Sequence, residues 1–141
     1  MKTRFSSLVT LKKNNLEKSE QVLQNANNNL KNANQKLENS YNILNNVKPP
    51  SHGTMADFIA SRSLINSQRA DIQHNKEWVE FANNQVLEAK QKLKLDTIEH
   101  EKYKYLELEE IKKMLKELKI QEIKDLDEIA LLTFSRKNIK I

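Results

Sequence analysis

The sequence predicts an all-α protein: two long helices in an antiparallel coiled-coil hairpin, with the C-terminal helix overhanging its partner. Three observations carry that expectation. Leucines recur every seven residues through the first third of the chain. A single helix-breaking stretch, VKPPSHGT at 47–54, interrupts them. The seven-residue rhythm then resumes and continues far beyond the point where its partner begins.

In the first helix, expected over about 4–47, Leu16, Leu23, Leu30, Leu37 and Leu44 mark one position of a heptad, written a. Three residues after each stand Ser19, Ala26, Ala33, Ser40 and Val47, the d positions. A leucine column beside a column of small residues is a seam for a second helix, while the intervening Asn, Lys, Gln and Glu suit water. Asparagine is a weak helix former, so packing along the seam must compensate.

The turn, expected at 48–54, follows from Pro49. It biases Lys48 away from helical geometry. Gly53 relaxes the chain, and Thr54 with Asp57 three residues on forms a capping box with a short acid.

The second helix is expected over about 55–134. Phe58, Ile65, Ile72, Val79, Val86 and Leu93 occupy a; Ser61, Gln68, Asn75, Ala82, Ala89 and Asp96 occupy d. A short connection makes the helices antiparallel, so a of one meets d of the other. A midpoint between His52 and Gly53 sets facing residues at numbers that sum to 105. Leu16 then meets Ala89, Leu23 meets Ala82 and Ala33 meets Ile72, one large residue against one small in nearly every layer. Two layers carry an amide, Leu30 with Asn75 and Leu37 with Gln68. In this register Phe5 faces His100, and the rest of the second helix has no internal partner. Leu108, Ile111, Leu115 and Leu118 form a stripe there, continued after a phase shift by Ile123, Leu126 and Ile129 or Ala130. Such a stripe needs another molecule or a second copy to cover it. The whole of 1–141 is expected to be one domain.

Composition agrees. Of 141 residues, one is glycine, two are proline and none is cysteine, which leaves no turn-rich sheet and no thiolate chemistry. The net charge of +5 sits in residues 1–53, with eight basic against three acidic groups. Lys2, Arg4, Lys12 and Lys13 lack the density and the interleaved aromatics of a nucleic-acid site, so no nucleic-acid partner is expected. No apolar run reaches the roughly 20 residues of a membrane span, and none resembles a signal peptide's apolar region. The expected location is the cytoplasm.

Chemistry is sparse. His52, His74 and His100 are far apart, and no second ligand stands at a metal-binding spacing beside any of them. One glycine cannot make a phosphate loop, and two helices give no deep pocket. Catalytic, metal and cofactor sites are expected to be none, and the chain is expected not to be an enzyme. Two surface groups fall outside the seam. Trp78 and Phe81, with His74 one turn before, flank it as a shield or as an anchor for a partner. Tyr41 and Leu64, which face one another in the expected register with Ile43 close by, admit the same two readings.

Three stretches carry a family resemblance. RFSSLVTLKKNNLEKSEQVL at 4–23 is a Phe, then leucines, then a polar heptad helix. IASRSLIN at 59–66 follows the turn. LDEIALLTFSRK at 126–137 is an apolar residue, Asp-Glu, apolar-Ala, then Phe and a basic pair. With these the chain resembles the flagellar FliJ family, antiparallel coiled coils of the type III export apparatus. The resemblance implies a central-stalk-like protein. The end carrying both termini would insert into the ring of the hexameric export ATPase and promote its assembly and activity. It further implies contact with the cytoplasmic part of the export gate and with export chaperones, and a place at the cytoplasmic face of the inner membrane, with peripheral membrane association possible.

By that carry-over the ATPase-binding residues are Phe5, Leu8, Leu126, Asp127, Glu128, Ile129, Phe134 and Arg136. The gate or partner patch is Tyr41, Ile43, Leu64, His74, Trp78 and Phe81. Here the chain departs from the family, whose aromatic residues are not at matching positions; Trp78 and Phe81 stand as substitutes. The rival readings are a structural coiled coil that self-associates through the overhang, and a stalk protein of a related type III secretion system.

Overall fold

Local chemistry starts the first helix. The Thr3 N–H donates to Ser6 Oγ at 2.8 Å and the Phe5 N–H donates to Thr3 Oγ1 at 3.1 Å, so the Ser6 side chain caps Thr3 and the Thr3 side chain caps Phe5. Helix α1 then runs Ser6–Asn46 and helix α2 runs Met55–Ile139. These come from a computed structural model that describes residues 2–139, with side chains described for 2–137; the outermost residues of the expected 1–141 domain lie outside that range. The two helices pack against each other, and no strand occurs among the described residues.

The connection is built as its residues dictate. Val47 closes α1 with a hydrogen bond from its N–H to the Leu44 carbonyl at 3.2 Å, just before Lys48 and Pro49. Gly53 adopts φ of 152°, a conformation open to glycine and strained for other residues. The Thr54 N–H donates to Asp57 Oδ2 at 3.0 Å, and the Asp57 N–H donates to Thr54 Oγ1 at 3.4 Å. Two of the unpaired donors at the start of α2 are thereby satisfied. At the other end α2 continues to Ile139, five residues beyond the expected 134. Nothing in LLTFSRKNI breaks a helix, and Arg136 and Lys137 in the last turn favour its negative end.

Contacts divide the chain into two units. One comprises Asn15–Thr97 and the other Met1–Asn14 with Ile98–Ile141. In the first unit the heptad seam is the buried face. Ser19, Ala26, Ala33 and Ser40 of α1 are buried, and so are Ile72, Ala82, Val86, Ala89 and Asp96 of α2. Ala26, Val86 and Ala89 cluster with Leu23 and Leu30 packed on them. The small d residues are the deepest, with Ala33 at 1% exposure, whereas the leucines at a are half-buried. Small side chains let the backbones approach, and the leucines then close over the sides of the contact.

The register differs from the expected one. Ser19 Oγ donates to Asp96 Oδ2, and Asn75 Nδ2 donates to Ser40 Oγ. Each pair sums to 115, not 105. Both members of each pair are d residues, diagonal neighbours between layers, and the layers themselves are displaced by one heptad. Leu23 now shares a layer with Ala89, Ala26 with Val86 and Leu30 with Ala82. Large still meets small, because the pattern repeats every seven residues. The midpoint of the turn does not fix the pairing, since the first six residues of α2, Met55–Ala60, are all exposed.

In the second unit the α1 start lies on α2 around 99–114. Arg4 pairs with Glu110 at 3.8 Å, Ser6 Oγ donates to Glu107 Oε1 at 3.0 Å, and Lys12 pairs with Glu99 at 3.7 Å. Lys12 Nζ also lies 5.6 Å from the ring centroid of Tyr103, and Lys102 Nζ lies 5.4 Å from it. Phe5 is therefore level with residues near Glu107–Glu110, not with His100. Met114 is the last half-buried residue of α2, and every residue from Leu115 to Lys137 is exposed.

Candidate functional site

The exposed end of α2 is a helix with two different faces. At 100° per residue, Leu115, Leu118, Leu126 and Ile129 lie along one line. Ile123, Ala130 and Phe134 widen it on one side. Glu117, Gln121, Lys124 and Glu128 occupy the opposite face. Asp127 borders the apolar stripe on the Ile123 and Phe134 side, and Arg136 borders it on the Leu118 side. Leu126 is 65% exposed, Ile129 59% and Phe134 64%. Leu131 and Leu132, which fall among the polar residues of the opposite face, are 66% and 65% exposed. Five large apolar side chains so fully in water within nine residues are an unpartnered surface, richest along the stripe. Within the helix, Gln121 Nε2 donates to Asp125 Oδ1 at 3.0 Å and Thr133 Oγ1 donates to the Ile129 carbonyl at 2.9 Å. Both bonds run between residues four apart and tie the helix to itself, not to α1.

Phe5 and Leu8 are not beside that stripe. Phe5 is half-buried, with the Arg4 guanidinium 4.9 Å from its ring centroid. Leu8 is 37% exposed. Arg4 meets α2 at Glu110, and Leu126 is sixteen residues further along that helix. At 1.5 Å per residue the separation is roughly 24 Å. The eight residues expected to act together thus form two surfaces of the same unit: an N-terminal one at α1's first turns, and a C-terminal one from Leu126 onwards.

The flank residues of the other unit also divide. Trp78 and Phe81 stack, with ring centroids 5.6 Å apart, and His74 is exposed one turn before Trp78. Trp78 lines a shallow groove with Asn29, Asn32, Lys36 and Asn39 of α1. Its heptad position, g, is shared by Ile43 and Leu64, so these lie on the same side of the seam. Leu64 lines a second groove near the turn with Val47, Lys48, Pro50 and Asp57. Tyr41 is at e, on the opposite side. Its ring faces Lys76, whose Nζ is 5.8 Å from the ring centroid. The expected meeting of Tyr41 with Leu64 depended on the 105 register and is corrected with it.

Sequence reasoning passed over two groups. One is Ser19 with Asp96, which also pairs with Lys92 at 3.1 Å. Its signal was an acid, Asp96, in a seam column otherwise free of charge. The other is Lys12 with Glu99 and Tyr103, which no periodicity marks. Among the described residues no group of three or more His, Cys, Asp or Glu is arranged to hold a metal, and no helix is long and apolar enough to cross a membrane.

The family model described as flagellar FliJ protein matches residues 1–138. The chain belongs to the FliJ family. Membership makes it a protein associated with flagellar export, with the helical coiled-coil character of that family, and FliJ is at family level a non-enzymatic component of the export machinery. No curated protein and no solved structure matches the chain.

Proposed function

We propose that this FliJ-family chain acts as the central stalk of the export ATPase. In this reading the exposed C-terminal part of α2 enters the hexameric ring, promotes its assembly and raises its turnover, without chemistry of its own. The observation that carries the reading is the run from Leu115 to Lys137, helical and exposed throughout. Its apolar stripe has no cover from α1 and is bordered by opposite charges, Asp127 and Arg136. A ring lumen offers a partner to a single helix on several sides at once, and hydrophobic contact supplies the main binding energy. Phe5, Leu8 and the charged groups around them would meet the rim, not the lumen, since they lie roughly 24 Å back along the same unit.

The g side of the hairpin, with Ile43, Leu64, His74, Trp78 and Phe81, is the surface proposed for the cytoplasmic part of the export gate and for export chaperones. The proposed site of action is the cytoplasmic face of the inner membrane. The test is the effect on the cognate ATPase. Intact protein should increase hexamer content and ATP turnover. A chain lacking residues 124–141 should lose the effect while its hairpin stays helical by circular dichroism. Equal stimulation by the shortened chain would defeat the assignment.

A further inference from the structure

Heptad packing by itself leaves this hairpin a choice of registers. Layers of leucine against a small residue are satisfied when Leu23 meets Ala89, and equally when it meets Ala82 one heptad away. Helices held only by such a pattern can slide by seven residues without losing it. We infer that two polar pairs in the seam, the buried Ser19 with Asp96 and the part-buried Ser40 with Asn75, are the register lock of the hairpin, and that they select one register from a ladder whose apolar layers are equivalent.

The placement supports it. All four residues are at d, and the two α1 members are three heptads apart. Ser19, Ser40 and Asp96 are buried, at 5%, 8% and 8% exposure. Between them the d columns hold only alanine, Ala26 and Ala33 on α1, Ala82 and Ala89 on α2. In the observed register polar residues neighbour polar ones and alanines neighbour alanines. After a one-heptad slip towards the turn, Asn75 would neighbour Ala33 and Ser19 would neighbour Ala89, leaving an amide and a hydroxyl among methyl groups. Asp96 would leave Ser19. A slip the other way would set Asp96 beside Ala26 and Ser40 beside Ala82. A buried polar group deprived of its partner is penalised far more than a matched pair is rewarded, which is what a lock requires. A single buried polar residue is known to fix register in coiled coils, at some cost in stability.

The chain has no cysteine, so the register can be read by engineered cross-links. The observed contact of Tyr41 with Lys76 defines facing e residues; by the same register Asn34 faces Asn83, and after the slip towards the turn it faces Lys76. The full chain with N34C and N83C should form an intramolecular disulfide under mild oxidation, and the chain with N34C and K76C should not. The quadruple variant S19A, S40A, N75A, D96A makes the d columns from 19 to 40 and from 75 to 96 all alanine. In that background the slipped cross-link should rise roughly tenfold or more, as expected when a preference of about one power of ten or greater is removed. If the quadruple variant still closes only the native pair, the proposal is wrong. A second variant keeps it testable should the first lose helicity. The exchange S40N with N75S preserves a polar pair at that site and should close only the native disulfide; a slipped product there overturns the lock.

Discussion

Replacing Ala33 by leucine should destabilise the hairpin more than removing a leucine from the neighbouring layer. Ala33 is 1% exposed, and the register sets it against Ala82 at 3%. Three added carbon atoms have no space there unless the backbones separate, and separation loosens the alanine and serine contacts on both sides. Overpacking of this kind costs about 1–3 kcal/mol, and a site between two close backbones belongs near the upper end. Leu37, by contrast, is only half-buried. Full burial would make Leu37→Ala cost about 2–5 kcal/mol; half of the side chain already in water reduces that to about 1–2 kcal/mol. Urea unfolding followed by far-UV circular dichroism measures both. With a slope of about 1–3 kcal/mol per molar, the Ala33→Leu midpoint should fall by roughly 1 M. An Ala33→Leu chain as stable as the wild type, or a Leu37→Ala chain that is the less stable of the two, refutes close backbone approach at Ala33.

Three further predictions concern the ends of α2. Thr54→Ala removes the side-chain acceptor of the Asp57 N–H, leaving the Thr54 carbonyl at 3.0 Å, and should lower stability by about 0.5–1 kcal/mol. Gly53→Ala should cost at least as much by the same urea measurement, because its Cβ would lie 2.6 Å from Asp57 Oδ2 and its φ is unfavourable. Truncation after Met114 removes, among the described side chains, only exposed ones and should change the unfolding free energy in urea by no more than about 0.5 kcal/mol, although the helical signal falls. A large loss of stability would mean that the C-terminal stripe is covered within the chain.

The heptad columns were legible because every a and d residue from Leu16 to Val47 carries the same size code, and those columns are the ones the structure buries. The capping box at Thr54 and Asp57 was legible too, since caps are set by neighbours three residues apart. The register was not. A repeating sequence determines pairing only up to whole heptads, and the turn was too weak a ruler, because Met55–Ala60 stand exposed and do not press on α1. The information lay in Asp96 and Asn75. Read as interruptions of an apolar column, they cost stability; read as partners for Ser19 and Ser40, they distinguish one register from the next.

The same shift changes what the candidate site is. In the 105 register α1 would have covered α2 only to about His100, and the stripe from Leu108 to Ile129 would have been one long vacancy. With Arg4 at Glu110, the half-buried Ile111 and Met114 mark where cover by α1 ends, and Leu115 begins the free surface. Phe5 then marks the shoulder where two helices become one, and Leu126 to Arg136 the tip. A partner that grips both must reach roughly 24 Å along the helix and tolerate a halving of its thickness. A ring with a wide mouth and a narrow lumen has that shape. A flat surface would meet the shoulder or the tip, but not both. The two sets of residues are therefore separable tests of the proposed stalk role: truncation at the tip should abolish stimulation of the export ATPase, while substitution of Phe5 or Leu8 should only weaken it.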